Sequence, residues 1–457
     1  MRGPLPGKPR LAVPAGLAVP QPAAFKPPKG TRAVLSNGMV VHMLRDATFP
    51  VAHLTAFIRA GKIHDPAGKI GLGDMAAGLL RDGGAGGLAP ERMDEKLEFL
   101  GASVESSVGI EESRLTLTSL SKDLDEVLDI YAAILTAPAF DPEKTAIRRE
   151  ELLELIRRRD DDTARQAVRE ALRAFYGPGH PYGWRPEEAT VQAVTGDDMR
   201  AWHADFCRPG NVILAVAGDF GTEEQLLARL EARFSGWKGG AAALPGIPPV
   251  GLPRGRRVFL LRKDIPQASV VLVLGALKRH DPREFALMVA NEMLGGGLSS
   301  RLTSEIRSRH GLAYSVYSYP VKKPDHGYLL AYCGTKPESA GRAAAEMLRQ
   351  FDLMGQEEPP AEEVKRAKDA IANSFIFRFP TPFDLISERA AFEYYGYRES
   401  ALDDYVDRIN ATGQADVQGV SREVLSTGDA LLLFVGDPDK FDARPDEFGP
   451  VTELKEE

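Results

Sequence analysis

The sequence contains two long segments that repeat the same order of landmarks, and this internal repeat restricts the fold more than any other feature. The first segment begins near residues 44–61 with an apolar run and closes with a second apolar run at 212–219. The second segment begins with a similar run at 261–277 and closes with another at 430–437. We therefore predict two homologous domains that arose by tandem duplication.

The spacing of landmarks within the two segments also agrees. Pro50 precedes Gly218 by 168 residues, and Pro266 precedes Gly436 by 170 residues. A chain of 457 residues is long for one hydrophobic core and suits domains of about 200 residues each. The length and the repeat therefore lead to the same two-domain interpretation.

Each repeat reads as strands, then a series of helices, then a closing strand. Residues 40–44 and 51–58 show the apolar and β-branched pattern of strands. Residues 124–135 carry apolar side chains at helical spacing, and residues 143–159 form a charged, glycine-free stretch that favours a long helix. The predicted fold class is α+β, with two sandwich domains, each a mostly antiparallel sheet covered on one face by helices.

Stretches rich in proline and glycine predict the domain boundaries. The first 28 residues contain eight prolines, and residues 238–255 contain five glycines and four prolines. The predicted divisions are a proline-rich arm at 1–30, an N-terminal domain at 31–237, a linker at 238–255, a C-terminal homologous domain at 256–448 and an acidic tail at 449–457.

The composition excludes several classes of partner and cofactor. With 65 acidic and 57 basic residues, the net charge of −8 argues against a nucleic-acid binder. The apolar runs are shorter than the roughly 20 residues of a membrane span, so none is expected. Cys207 and Cys333 form no C-x-x-C pair, which leaves at most one disulfide open. The first residues show no signal core, so the alternatives are the cytoplasm or export with a removed leader.

Six segments of the sequence resemble, in order and spacing, the pitrilysin–insulinase family of zinc peptidases, also called inverzincins. They are SNGMVVHMLRD, GLGDMAAGLL, LGASVESSVG, GHPYGW, CRPGNVILAVAGDF and GGGLSSRLTSEIRSRHGLAYSVYS. The resemblance covers residues 31 to about 440 and is closest to the short bacterial and mitochondrial members with two homologous domains. It implies that the chain forms half of a clamshell around a peptide chamber. The proline-rich start resembles the mature start of exported members, which favours export over the cytoplasm.

The resemblance also shows that the zinc motif of the family is degenerate here. The family places H-x-x-E-H on a helix, where two histidines bind zinc and the glutamate takes a proton from the bound water. Asp74, Ala77 and Gly78 stand at these three positions. The third ligand position falls on Leu155, or on Glu154 after a shift of one residue. We therefore expect no metal and no catalytic residue in this chain, and zinc in a partner subunit.

A second family feature is retained. The second domain of family members supplies an arginine and a tyrosine, seven residues apart, that reach the zinc site and hold the substrate backbone. Arg307 and Tyr314 stand at this spacing. A guanidinium suits a carbonyl or carboxylate, and a tyrosine hydroxyl can donate to an oxygen that gains charge. The resemblance implies that the pair binds substrate, whereas the residues alone favour a solvated helix end for Arg307 and a half-buried strand position for Tyr314.

Three functions remain open on these features. The first is a non-catalytic, substrate-binding subunit of a heterodimeric zinc peptidase, whose homologous partner carries H-x-x-E-H and whose substrates are peptides or unfolded segments. The second is a proteolytically inactive scaffold or binding protein of the same fold, as in the mitochondrial respiratory core proteins. The third is a stand-alone peptidase with a metal site rebuilt around Asp74 and Glu154.

Overall fold

Two six-stranded sheets form the framework of the protein, seen in a computed structural model that describes residues 25–252 and 254–455. The first sheet comprises β1 (Thr31–Val34), β2 (Val40–Arg45), β3 (Val51–Ile58), β4 (Ser103–Val108), β5 (Ser113–Leu120) and β6 (Val212–Gly218). The second comprises β7 (Arg257–Arg262), β8 (Ala268–Ala276), β9 (Ala313–Lys322), β10 (Gly327–Thr335), β11 (Leu431–Gly436) and β12 (Val451–Leu454).

The strand orders of the two sheets confirm the predicted duplication. They are β1-β2-β6-β3-β5-β4 and β12-β7-β11-β8-β10-β9, so that five strands correspond one to one. The closing strand of each repeat lies parallel to the first common strand, β2 or β7, and antiparallel to the next, β3 or β8. Most other pairs are antiparallel, as predicted.

The sixth strand of each sheet comes from a different end of the chain. β1 pairs antiparallel with β2, whereas β12 pairs parallel with β7. β12 lies within the segment that the sequence predicts to be an acidic tail, so the second sheet extends into that segment. The predicted arm at 1–30 lies mostly outside the described residues, apart from 25–30.

Fourteen helices are seen in the described residues. Those of the first repeat are α1 (Leu72–Asp82), α2 (Pro90–Phe99), α3 (Leu124–Thr136), α4 (Pro142–Arg157), α5 (Thr163–Tyr176), α6 (Glu188–Gln192), α7 (Gly196–Phe206) and α8 (Glu223–Phe234). Those of the second are α9 (Glu284–Asn291), α10 (Ala340–Gln356), α11 (Ala361–Ser374), α12 (Pro382–Tyr394), α13 (Tyr405–Ala411) and α14 (Gln414–Val424), with π-helical segments at Glu292–Gly296 and Thr303–Arg309.

The two helices predicted in the first repeat are confirmed as α3 and α4. α3 buries the apolar stripe that predicted it, and Tyr131 in this stripe donates to the carbonyl of Leu115 at 2.8 Å. α4 begins after Asp141, whose side chain accepts from the backbone N–H groups of Glu143 and Lys144, with proline at the first helical position.

The outer face of each sheet is covered by a helix from the other repeat. α5 of the first repeat packs Ala171 and Phe175 against β8 and β11 of the second sheet. In return, α12 of the second repeat packs Ile386 and Ala390 against β3 and β6 of the first sheet. The central strands are apolar on both faces and therefore need cover on both. The expectation that helices cover only one face is thus corrected.

This exchange of helices predicts that the two domains stabilise each other. Ile386 is fully buried between α12 and the first sheet. We expect Ile386→Ala to lower the free energy of unfolding by about 2–4 kcal/mol, since it leaves a cavity. Hydrogen exchange should show the loss of protection in β3 and β6, although Ile386 belongs to the second repeat. Ile376→Ala is the control, because this side chain is 44% exposed. Loss of protection confined to the second sheet would contradict the prediction.

Two smaller expectations can be compared with the structure. Cys207 and Cys333 are both free and buried, so the disulfide that the sequence left open is not formed. In the part of the chain that the structure describes, no helix has both the length and the apolar character required to cross a bilayer.

Candidate functional site

The degenerate motif lies on α1, whose start is fixed by a buried carboxylate. Asp65 accepts hydrogen bonds from the backbone N–H groups of Gly71 at 2.8 Å and Gly73 at 2.9 Å. Gly71 adopts a left-handed conformation at φ 109°, which suits glycine. Burial raises the pKa of Asp65 to about 7, even though both N–H bonds favour the charged form.

Among Asp74, Ala77 and Gly78, only Asp74 has a side-chain atom that could bind a metal ion. This side chain forms an ion pair with a lysine. The side chain of Asp74 is largely buried, and its Oδ1 lies 2.7 Å from Nζ of Lys62. Its Oδ2 is buried and has no hydrogen-bond partner among the described residues. Ala77 and Gly78 contribute no ligand atoms. The ammonium group of Lys62 therefore pairs with one oxygen of the only carboxylate at these three positions, and the other oxygen has no partner among the described residues.

An arginine lies against the position of the second family histidine. A Cβ atom added at Gly78 would lie 2.9 Å from Nε of Arg148, which is located on α4. Arg148 also pairs with Glu151 at 3.2 Å, and its Nε is buried without a hydrogen-bond partner in the described residues. In this conformation the Arg148 guanidinium thus occupies the space into which a histidine at position 78 would project.

The third ligand position faces solvent. Leu155 is 61% exposed, and Glu154 is also exposed, 3.9 Å from Arg157. Across residues 25–252 and 254–455, no three or more His, Cys, Asp or Glu side chains are grouped so that they could hold a metal ion. Zinc therefore does not fit the residues at the degenerate motif, because metal ligands are missing and two cations are present.

Sequence reasoning missed Lys62 and Arg148. Only the lack of a side chain at Gly78 indicated that another group could lie there.

The structure brings Arg307 and Tyr314 together. Arg307 lies in the π-helical segment Thr303–Arg309, and Tyr314 lies near the start of β9. The guanidinium carbon of Arg307 is 5.3 Å from the centroid of the Tyr314 ring, a cation–π contact. Tyr314 is 82% exposed. A large aromatic side chain held by an arginine at the surface is available to contact another molecule.

A β-bulge turns Tyr314 outward from the sheet. Ser315 pairs with Gly334 and Ala313 pairs with Thr335, so Tyr314 is the extra residue between them. Bulges of this kind redirect a side chain and commonly lie near binding sites. β9 is also an edge strand, and no strand of the described chain pairs with its outer side.

The degenerate motif and the Arg307–Tyr314 pair lie near corresponding edge strands of the two sheets. β4 is the edge strand that corresponds to β9, and it lies beside α1, since Ser106 donates to the carbonyl of Gly78 at 3.2 Å. The degenerate motif is therefore next to one free edge, and the Arg307–Tyr314 pair is at the other. A duplicated sandwich with this motif helix, in which the described residues group no set of zinc ligands, is typical of a metallopeptidase-like protein.

Comparisons with known families agree with this class. Residues 40–180 match insulinase (peptidase family M16), and residues 193–371 match the peptidase M16 inactive domain. The chain belongs to the insulinase family, M16, and lacks the family's H-x-x-E-H motif.

Relatives and solved structures support this assignment. A protein described as an uncharacterized zinc protease of Streptomyces coelicolor is 28% identical over 324 residues, 69% of this chain and 70% of the relative. One of Bacillus subtilis is 23% identical over 409 residues, 88% and 97% of the two chains. The fold is similar to a peptidase M16 inactive domain from Pseudomonas fluorescens, with a TM-score of 0.81 and 22% identity over 89% of this chain and 97% of that one. A protease from Helicobacter pylori has a TM-score of 0.80 and 20% identity over 90% and 100%.

Proposed function

We propose that this chain is the non-catalytic, substrate-binding subunit of a heterodimeric zinc metallopeptidase. Its homologous partner carries H-x-x-E-H and supplies the zinc, the general base and the two histidines. Arg307 and Tyr314 of this chain anchor the scissile segment of a peptide or an unfolded protein. The exposed contact between these two side chains, at a bulge on a free edge strand, is the observation that carries the proposal.

The chemistry of the pair suits this role. A guanidinium can hold a backbone carbonyl with two parallel N–H groups, and it remains charged at any working pH. The guanidinium of Arg307 and the hydroxyl group of Tyr314 can both donate to the carbonyl oxygen of the substrate as it gains negative charge. The ring contact restricts both side chains before substrate arrives, which reduces the entropy lost on binding.

The geometry of β9 provides a place for the substrate backbone. The outer side of this strand has backbone N–H and C=O groups that no described strand satisfies. An extended peptide can add there as a further strand, and main-chain hydrogen bonds then give affinity with little dependence on sequence. The size of the chamber, rather than one specific pocket, would select the substrates.

The state of the degenerate motif supports a division of work between two chains. Lys62 pairs with Asp74 and Arg148 lies against Gly78, so positive charge is next to the degenerate motif and we do not expect hydrolysis by this chain alone. The purified chain should contain no stoichiometric zinc by elemental analysis and should cleave no peptide. One zinc per chain would contradict the proposal and favour a rebuilt metal site.

The partner can be sought directly. The tagged chain is used in a pull-down from extract of its source organism, followed by mass spectrometry and zinc analysis of the eluate. We expect a homologous chain with H-x-x-E-H in one-to-one ratio, together with zinc. Recovery of this chain alone, or with proteins that lack the motif, would favour the scaffold function instead.

A further inference from the structure

A cavity of about 780 Å³ lies between the two domains and has no role in the function proposed above. Its walls are the β4–β5 turn at residues 109–112 of the first domain and, from the second domain, α9, the end of β9, α11, α12 and α13. Its volume is in the range of sites for small molecules. Apolar and aromatic side chains form much of the wall, among them Phe285, Met288, Phe375 and Tyr405.

Most charged groups in this wall have a partner within the chain. Glu111 is held by Arg279 at 2.9 Å and by Lys323 at 2.7 Å, and these cations lower its pKa although burial raises it. Lys322 pairs with Glu284 at 2.7 Å. The remaining pairs are Glu112 with Arg114 and Arg378 with Glu388. The charges of these paired groups compensate each other, so they do not require a charged ligand.

Two charged groups of opposite sign remain unpaired among the described residues. Glu292 is half-buried, and no ion pair or side-chain hydrogen bond is seen for it. Burial raises the pKa of its carboxyl group, as expected for an anion without a partner. Arg408 on α13 has no carboxylate partner either, and its guanidinium carbon lies 4.1 Å from the centroid of the Phe285 ring.

The two groups lie at opposite ends of one apolar stripe. Phe285 and Met288 on α9 and Glu292 directly after it follow one another at helical spacing and all line the cavity. Phe285 and Glu292 are separated by about 10 Å along the helix axis, at about 1.5 Å per residue. Arg408 marks the Phe285 end. An extended peptide rises about 3.3 Å per residue, so the stripe on this helix is as long as about three peptide residues.

We propose that this cavity binds a short peptide of about three residues with free termini and an apolar central side chain. The α-ammonium group of the peptide pairs with Glu292, the carboxylate pairs with Arg408, and the central side chain contacts Met288 and Tyr405. Such zwitterionic peptides result when a protease cuts a chain twice. All residues of the site belong to this chain, so the proposal does not depend on a zinc-bearing partner.

The test is calorimetric titration of the whole chain with the tripeptide Ala-Leu-Ala and with its N-acetylated and C-amidated forms. We expect a dissociation constant below about 1 mM for the free peptide. Each blocked form should bind about tenfold more weakly or worse, because it loses one charge-assisted contact. Equal binding of the free and blocked forms, or no binding of the free peptide at several times that concentration, would overturn the proposal.

Two variants locate the site within the cavity. Glu292→Gln should bind the free and acetylated peptides equally and keep its preference for the carboxylate over the amide. Arg408→Met, which retains the packing on Phe285, should bind the free and amidated peptides equally and keep its preference for the free amino terminus over the acetylated one. Glu338→Gln and Arg366→Met are controls at exposed positions outside the cavity and should behave like the unaltered chain. Discrimination that persists in both cavity variants, confirmed as folded by circular dichroism, would also overturn the proposal.

Discussion

Replacing Arg307 with alanine should reduce peptide turnover by the assembled peptidase by roughly 100-fold or more, a size typical of losing one donor to a developing oxyanion. The variant is combined with the zinc-bearing partner, and kcat and KM are measured with a short peptide. The decrease should appear in both kcat and kcat/KM, since the contact strengthens as the substrate carbonyl gains charge. Zinc content and the one-to-one assembly should not change, because Arg307 is exposed and contacts Tyr314 within its own chain.

Neighbouring residues provide matched controls for this prediction. Arg309→Ala removes another exposed arginine from the same segment, which pairs with Glu305 at 2.8 Å, and should leave turnover near the unaltered value. Tyr314→Phe retains the ring under Arg307 but removes the hydroxyl group, and we expect an intermediate loss. If Arg307→Ala and Arg309→Ala gave the same turnover, the pair would have no part in proteolysis and the scaffold function would gain support.

The repeat, the order of the elements and the family could be predicted from the sequence, because each depends on local patterns. The apolar stripe of α3 and the alternation in β2 and β3 act within a few residues. The position of Asp74, Ala77 and Gly78 on one helix follows from the same reasoning. Whether the aligned residues act as predicted is a question for the experiments above.

The cover of the outer sheet faces could not be predicted in this way. Periodicity shows that α5 and α12 each have an apolar face, but it does not reveal which sheet that face contacts. In the structure each helix crosses to the sheet of the other repeat. The bulge at Tyr314 could not be predicted from the sequence either, because it depends on the register with β10 rather than on the sequence of β9.

The cations at the degenerate motif were also beyond sequence reasoning. Lys62 reaches Asp74 from the segment before α1, and Arg148 reaches Gly78 from α4. Both are charged residues in polar stretches, where a solvated surface position is the ordinary outcome. Only the three-dimensional contacts show that both cations lie against residues of the degenerate motif.

Restoring the family ligands should give only weakened zinc binding while Arg148 remains. The variant combines Asp74→His, Ala77→Glu, Gly78→His and Leu155→Glu. A side chain at position 78 would meet the Arg148 guanidinium, as a Cβ there already lies 2.9 Å from its Nε. Two unit charges about 4 Å apart repel by about 4 kcal/mol at an effective dielectric constant of 20, and a divalent ion doubles this value. Arg148 can partly turn away, so we expect zinc affinity to be at least about 100-fold weaker than without it.

Adding Arg148→Ala to the four substitutions should recover the lost affinity. Zinc binding is measured by competition with a chromophoric chelator, which does not depend on peptidase activity. Arg165→Ala is the control, because Arg165 on α5 is exposed and pairs with Asp162 at 3.2 Å, on a helix that carries none of the four substituted positions. Equal zinc affinity with and without Arg148 would show that missing ligands alone explain the metal-free motif. A higher zinc affinity with Arg148→Ala, but not with the control, would show that two factors keep zinc from the motif. One is the missing ligands, and the other is the positive charge of Arg148, which restoring the ligands does not remove.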